Sequence, residues 1–169
     1  MTLEFQMSTT TEAIDTRAYL NGWLSALTGM ITADINAIPD DKWTATFGGC
    51  TRPANALVAD AVSTLLWTTG ALNGNAPSDP EGAAMKQLTA DFENKGVAIA
   101  RIAEAAEEFK TALTGASDET LNSTVPAPWG MPTPVLTIAH IAVSHIWYHD
   151  GQLNYIQCLL GDDKIHWMG

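Results

Sequence analysis

The sequence predicts an all-α fold, an antiparallel four-helix bundle. Three observations carry that expectation. Apolar residues recur every three or four positions over four long stretches, no stretch alternates with the period of two that marks a strand, and glycine and proline collect in the gaps between stretches. A chain of 169 residues with 46% hydrophobic content suits one domain, 1–169, with a core of its own. Four long helices in one domain of this size pack as a four-helix bundle.

The first helix is expected from about Thr10 to Ala37, where Leu20, Leu24, Leu27, Ile31, Ile35 and Ile38 keep the helical period. Pro39 and the Asp-Asp pair after it stop the helix, and KWTATFGGC follows as a loop with Gly48 and Gly49 as punctuation. The second helix starts near Thr51, an N-cap candidate with Pro53 in its first turn, and runs through Leu57, Asp60, Thr64 and Trp67 to about Leu72. NGNAPSDP breaks the chain there. The third helix begins after Asp79, with Pro80 and Glu81 in its first turn, and continues through Leu88, Phe92, Ile99, Ile102, Phe109 and Leu113. Gly96 is its weak point, costing about 1 kcal/mol against alanine.

Residues 115–134 form a long connection in which four prolines, at 126, 128, 132 and 134, forbid a helix. Trp129 within it is expected to pack back onto the bundle. The fourth helix spans about Pro134 to Leu160, and Gly161 fits a left-handed C-terminal stop. Trp167 suggests that the short tail DDKIHWMG docks on the domain.

A formal net charge of −11, with few and scattered basic residues, argues against nucleic acid and against anionic membrane surfaces, because both need a basic footprint. No apolar run approaches the roughly 20 residues that span a bilayer, and the start has no basic segment followed by an apolar one. The two cysteines, Cys50 and Cys158, form no CxxC motif. A cytoplasmic protein with two free thiols is the expectation, with Cys158 as a small core residue of the fourth helix.

The feature richest in chemistry is a histidine pair. His145 and His149 stand four residues apart in HIWYHDGQL, on one face of the fourth helix. Two imidazoles at this spacing can share one metal ion. They fall on a seam formed by Ile138, Ala142, His145, His149, Gln152, Ile156 and Leu159, which faces the core. A buried polar ring without a partner costs roughly 1–3 kcal/mol, so the pair needs either a metal or a carboxylate or carbonyl beside it. A third ligand must come from another helix, and all four histidines lie at or after His140. Asp60, flanked by the apolar face of the second helix, is the best candidate; the alternative is an aspartate half exposed at that helix's edge. His140 is about 140° around the helix from His145 and so does not share its ion. His166 reaches the site only if the tail folds over it. Gln152, one heptad below His145, is the residue assigned a catalytic part, orienting a ligand or a substrate. Cys50 has no base beside it in the pattern and is read as structural.

The block HIWYHDGQLNYIQCLLGD and the helix-two stretch ALVADAVSTLLW, with the proline-rich PAPWGMPTP before the last helix, resemble the DinB-like superfamily of DinB/YfiT-type metalloenzymes. The resemblance covers essentially the whole chain. It implies a divalent metal ion (zinc, nickel, manganese or iron) near one end of the bundle, held by one histidine on helix two and two on helix four. The helix-four positions carry over to His145 and His149. The helix-two position falls on Asp60, a departure from the family, and Asp150 stands where the family usually has arginine. Two histidines and a carboxylate remain a proper ligand set, with an open position for water or a thiol. The implied activity is that of a metal-dependent hydrolase or a low-molecular-weight thiol S-transferase acting on a small-molecule substrate, and the resemblance also implies a homodimer. The alternative from another class is a non-catalytic, metal-free helical bundle that binds a partner.

Overall fold

The computed structural model describes residues 14–78 and 82–168. The expected helix starts at Thr10 and at 79–81 lie outside them. Within the described residues the protein is mostly helical: α1 (Thr16–Ala37), α2 (Ala54–Leu72), α3 (Ala83–Asp91), α4 (Lys95–Gly115), α5 (Asp118–Asn122) and α6 (Val135–Leu159), with one small antiparallel sheet of β1 (Thr124–Pro126) and β2 (Pro132–Pro134). No helix is long and apolar enough to cross a membrane among these residues.

The four long helices close a ring: α1 packs on α4 and α6, and α2 packs on the same two. Their shared core holds the predicted stripe of α1, with Leu24, Leu27, Ile31 and Ile35 wholly buried. Asp15 caps α1 by accepting from the backbone N–H groups of Arg17 and Ala18, at 3.0 and 3.3 Å. Arg17 in turn donates to Ala116 O and Asp118, tying the start of α1 to the end of α4.

The expected third helix is two helices. The chain breaks at Phe92–Asn94, where Asn94 Oδ1 accepts from the N–H groups of Gly96 and Val97 and starts α4 afresh. Gly96 therefore sits in a first turn, not mid-helix. The break is held from outside: the buried Trp43 donates its Nε1–H to Phe92 O at 2.6 Å, and Phe92 is itself buried. Such a long-range bond leaves no local periodicity signal. Residues 115–134 also carry structure that the prolines hide. Ser117 caps α5, and Val125 pairs with Thr133 across a hairpin whose tip is Pro128–Gly130.

α6 runs as expected, and Gly161 adopts the left-handed conformation (φ 86°) that ends it. Its buried face is broader than a heptad seam, because it packs on both α1 and α2. Val135, Ile138, Ala142, Ile146, Leu153 and Ile156 fill that face, while Leu159 is 48% exposed. Cys158 is exposed too, which corrects its expected core position; both cysteines are free.

A polar layer lies between α1 and α6. Asp34 and Asp150 are both buried; Asp34 Oδ2 accepts from Asn154 Nδ2 at 2.6 Å, and Gln157 Nε2 donates to Asp34 O at 3.0 Å. Burial, and then the neighbouring Asp34 carboxylate, pushes the Asp150 carboxyl up to about 8. Asp150 then keeps its proton at neutral pH.

A carboxyl whose pKa is raised on folding contributes stability that is present below the ordinary value and is lost as pH rises through the folded one. Asp150→Asn keeps a donor to Asp34 without titrating. Its stability should gain on the wild type as pH rises from about 4 to about 8, then hold a constant margin. Urea unfolding at stepped pH checks this; a margin that does not grow with pH refutes the raised Asp150 value.

Candidate metal centre

α2 and α6 pack side by side, and this brings Asp60 against the histidine pair. Pro53 starts α2 and places Asp60 on its second turn, facing α6. His145 and His149, one turn apart, face back. His149 is buried; Asp60 and His145 are half-buried. The three side chains bring ligand atoms within 4.8 Å of one another and lie close enough to hold a metal ion. His149 Nε2 is 3.1 Å from His145 Nε2 and 3.4 Å from Asp60 Oδ2. Donors about 2.1 Å from a tetrahedral ion stand about 3.4 Å apart, so these separations fit one.

The hydrogen bonds around the pair decide its proton positions. Gln152 donates its Nε2–H to the Tyr148 hydroxyl at 3.3 Å, and this turns its Oε1 toward His149 Nδ1 at 2.7 Å. A carbonyl oxygen accepts only, so His149 carries its proton on Nδ1. In the neutral ring Nε2 is then a bare lone pair aimed at His145 Nε2 and at a carboxylate oxygen. His145 can donate its Nε2–H to that lone pair, whereas the approach to Asp60 Oδ2 is repulsive unless a cation sits between them or the ring takes a second proton. The bond to Gln152 is also how histidine ligands are held, the far N–H fixed by an acceptor. His145 Nδ1 is buried without a hydrogen-bond partner.

In the metal-free site the shifts follow from His149 donating to Asp60, the case in which its ring carries the second proton. His149, and after it Arg52, hold the Asp60 carboxyl below the usual carboxylate range against the opposing effect of burial. Burial first, and the charge of His149 second, lower the His145 imidazole. Asp60 is thus anionic and His145 neutral near pH 7, the protonation states a metal ligand needs.

Arg52 is the feature the sequence reading missed. Its Nη1 donates to Asp60 Oδ2 at 2.7 Å and its Nη2 to Ala56 O at 2.8 Å, so the guanidinium clamps the carboxylate from outside α2. The signal was thin: an arginine one residue before the proline that opens the helix. Tyr148 lies parallel to His145 with ring centroids 6.0 Å apart and edge-on to His149 at 5.1 Å. His140 is exposed, away from the pair, and His166 bonds Asp162 within the tail at 2.8 Å.

Asp60 and His145 line the floor of a cavity of about 870 Å³. Trp67 of α2, Trp129 of the hairpin tip and Ile138 and Ile141 of α6 form its walls. Trp129 is 46% exposed and borders this opening beside residues of α2 and α6. A second hollow, about 900 Å³ between α2, α4 and α5, carries Glu107 and Glu108 but no histidine.

No protein-family model and no curated protein matches the chain.

The Nδ1–H tautomer of His149 is directly observable. In long-range proton–nitrogen spectra of metal-free protein at pH 7.5, His149 should show a protonated Nδ1. In Gln152→Leu this preference should disappear. His145 should titrate below an ordinary histidine; a midpoint at or above the usual 6.5 would contradict the burial argument.

Proposed function

We propose that this chain is a DinB-like four-helix-bundle protein whose Asp60, His145 and His149 hold a divalent metal ion, and that it is a metal-dependent enzyme, a hydrolase or a low-molecular-weight thiol S-transferase. The observation that carries the reading is the lone pair of His149 Nε2, fixed by Gln152, pointing at His145 Nε2 and at Asp60 Oδ2. A bound divalent ion supplies Lewis-acid chemistry at this point, lowering the pKa of a water or thiol that takes its open position.

The chain's own residues supply the rest. Asp60 lowers the net charge of the centre by one relative to a three-histidine site, and Arg52 returns part of it by sharing the carboxylate. Gln152 touches His149 and not the opening, so it acts as a positioning residue for a ligand. The cavity gives a substrate access from the side of His145, between α2, α6 and the hairpin. Asp150, at the position where DinB-like proteins usually carry arginine, turns toward α1 and pairs with Asp34.

A second reading rests on Arg52. Its Nη1 already occupies Asp60 Oδ2, and an imidazolium at His149 would complete a metal-free ion network in a non-catalytic binding bundle.

Elemental mass spectrometry of untagged protein, purified without chelator or nickel resin, separates the two. Near-stoichiometric metal is expected in the wild type and none in His145→Ala/His149→Ala. Gln152→Ala should bind the same metal about 10- to 100-fold more weakly in a competition titration. Protein that carries no metal and takes up none of zinc, nickel, manganese or iron(II) would establish the second reading.

A further inference from the structure

The cavity above the centre carries a statement about what enters it. Its floor is polar: Asp60 and His145, with the hydroxyls of Ser63 and Thr64 beside them on α2. Its walls are largely apolar and aromatic, and they come from α2, the stretch after it, the hairpin and α6. Trp67 projects from α2, and its ring is fixed because Nε1–H donates to Pro77 O at 2.9 Å. Pro77 can stand there only because residue 70 is glycine: a Cβ at Gly70 would lie 2.6 Å from Asn75 O and 2.7 Å from Pro77 Cδ. Trp129 lines the same cavity from the hairpin tip, held by the turn in which Gly130 N donates to Ala127 O at 2.8 Å.

What the walls lack is equally specific. No lysine or arginine lines the cavity. All eight basic residues of the chain are among the described residues, and the one beside the site, Arg52, is committed to Asp60 and Ala56 O. A carboxylate or phosphate on the body of a ligand would find no counter-charge there and would lose hydration without return. An uncharged ring buries its faces on Trp67 and Trp129, a contact worth having in stacking as well as area.

We propose that the cavity binds a small ligand with one donor atom at its head and an uncharged, aromatic or otherwise flat apolar body: the head meets the Asp60–His145 floor, and the body lies between Trp67 and Trp129. The volume of about 870 Å³ is within the usual range for small-molecule pockets and exceeds one ring, so the body extends beyond a single ring toward the opening. This rests on the metal reading only for the head; the body's selectivity comes from the walls. It assigns acid-bearing peptide thiols a poor fit and neutral aromatic thiols or alcohols a good one.

The test uses two matched probes, benzyl mercaptan and 4-(mercaptomethyl)benzoic acid, titrated calorimetrically into metal-loaded and chelator-stripped full-length protein. The neutral probe should bind about tenfold or more tightly than its carboxylate in both forms of the protein. Trp129→Ala, at an exposed hairpin tip, should weaken the neutral probe by about fivefold or more without lowering metal content, and Gly70→Ala should do the same by displacing Pro77. Equal or tighter binding of the carboxylate, an unaffected Trp129→Ala, or no binding of the neutral probe would overturn the proposal. Failure of the metal reading looks different: both probes would keep the same affinities before and after stripping, with the selectivity intact.

Discussion

α6 is buried against two neighbours at once, and the organisation of the polar residues follows from that constraint. A helix packed on one partner buries a narrow seam; one wedged between α1 and α2 buries a face wide enough to take in adjacent residues such as His149 and Asp150. Those two side chains leave the helix about 100° apart, so they enter different interfaces. His149 meets Asp60 of α2, and Asp150 meets Asp34 of α1. An unpaired buried polar group costs about 1–3 kcal/mol; Gln152 of the same helix meets His149 Nδ1, and Asp34 lies beside Asp150, whose Oδ1 has no hydrogen-bond partner.

The two carboxyls that face α6 chemistry end up in opposite states for reasons that can be named. Asp60 sits beside an imidazole and a guanidinium and stays ionised. Asp150 sits beside another carboxylate, away from any cation, and keeps its proton. The first state suits a ligand for a cation; the second serves packing between α1 and α6. The acidic composition of the chain is therefore no guide to either site. What matters is which interface the carboxylate enters, and Arg52 is what separates the two cases.

Much of this was readable from the residues, and the limits are instructive. The stripes of α1, α2 and α6 are periodic because they are buried along one side, and periodicity is a local signal. The spacing of His145 and His149 and the apolar neighbours of Asp60 point to three side chains that do lie close together, with Asp60 half-buried. The break at Phe92–Asn94 was invisible because its cause is Trp43, about fifty residues away in sequence. The hairpin at 124–134 was hidden by its own prolines, which exclude helix but say nothing of a two-strand pairing so short. Asp34 did leave a trace: it stands seven residues after Leu27, on the buried stripe of α1, and a charged residue there demands a partner. Cys158 is exposed because the buried face at the end of α6 runs through Ile156 and Gln157, which a cysteine's apolar character alone does not reveal.

The division of labour between regular and irregular structure then has a physical basis. Ligand atoms that must meet within 3–4 Å are carried on α2 and α6, whose backbones are fixed by packing along their whole length. Part of the wall comes from the 75–78 loop and the hairpin tip: the loop is tied to α2 by the Trp67–Pro77 hydrogen bond and packs on the bare Cα of Gly70, and the tip is closed by its own Ala127–Gly130 turn. A substitution in these segments changes the shape and polarity of the opening and leaves the helix pair that aligns Asp60 with His149 untouched. The Asp60–His145–His149 cluster and part of its opening are therefore carried by separate segments, and the loop and hairpin tip can be altered without disturbing the helix pair below them.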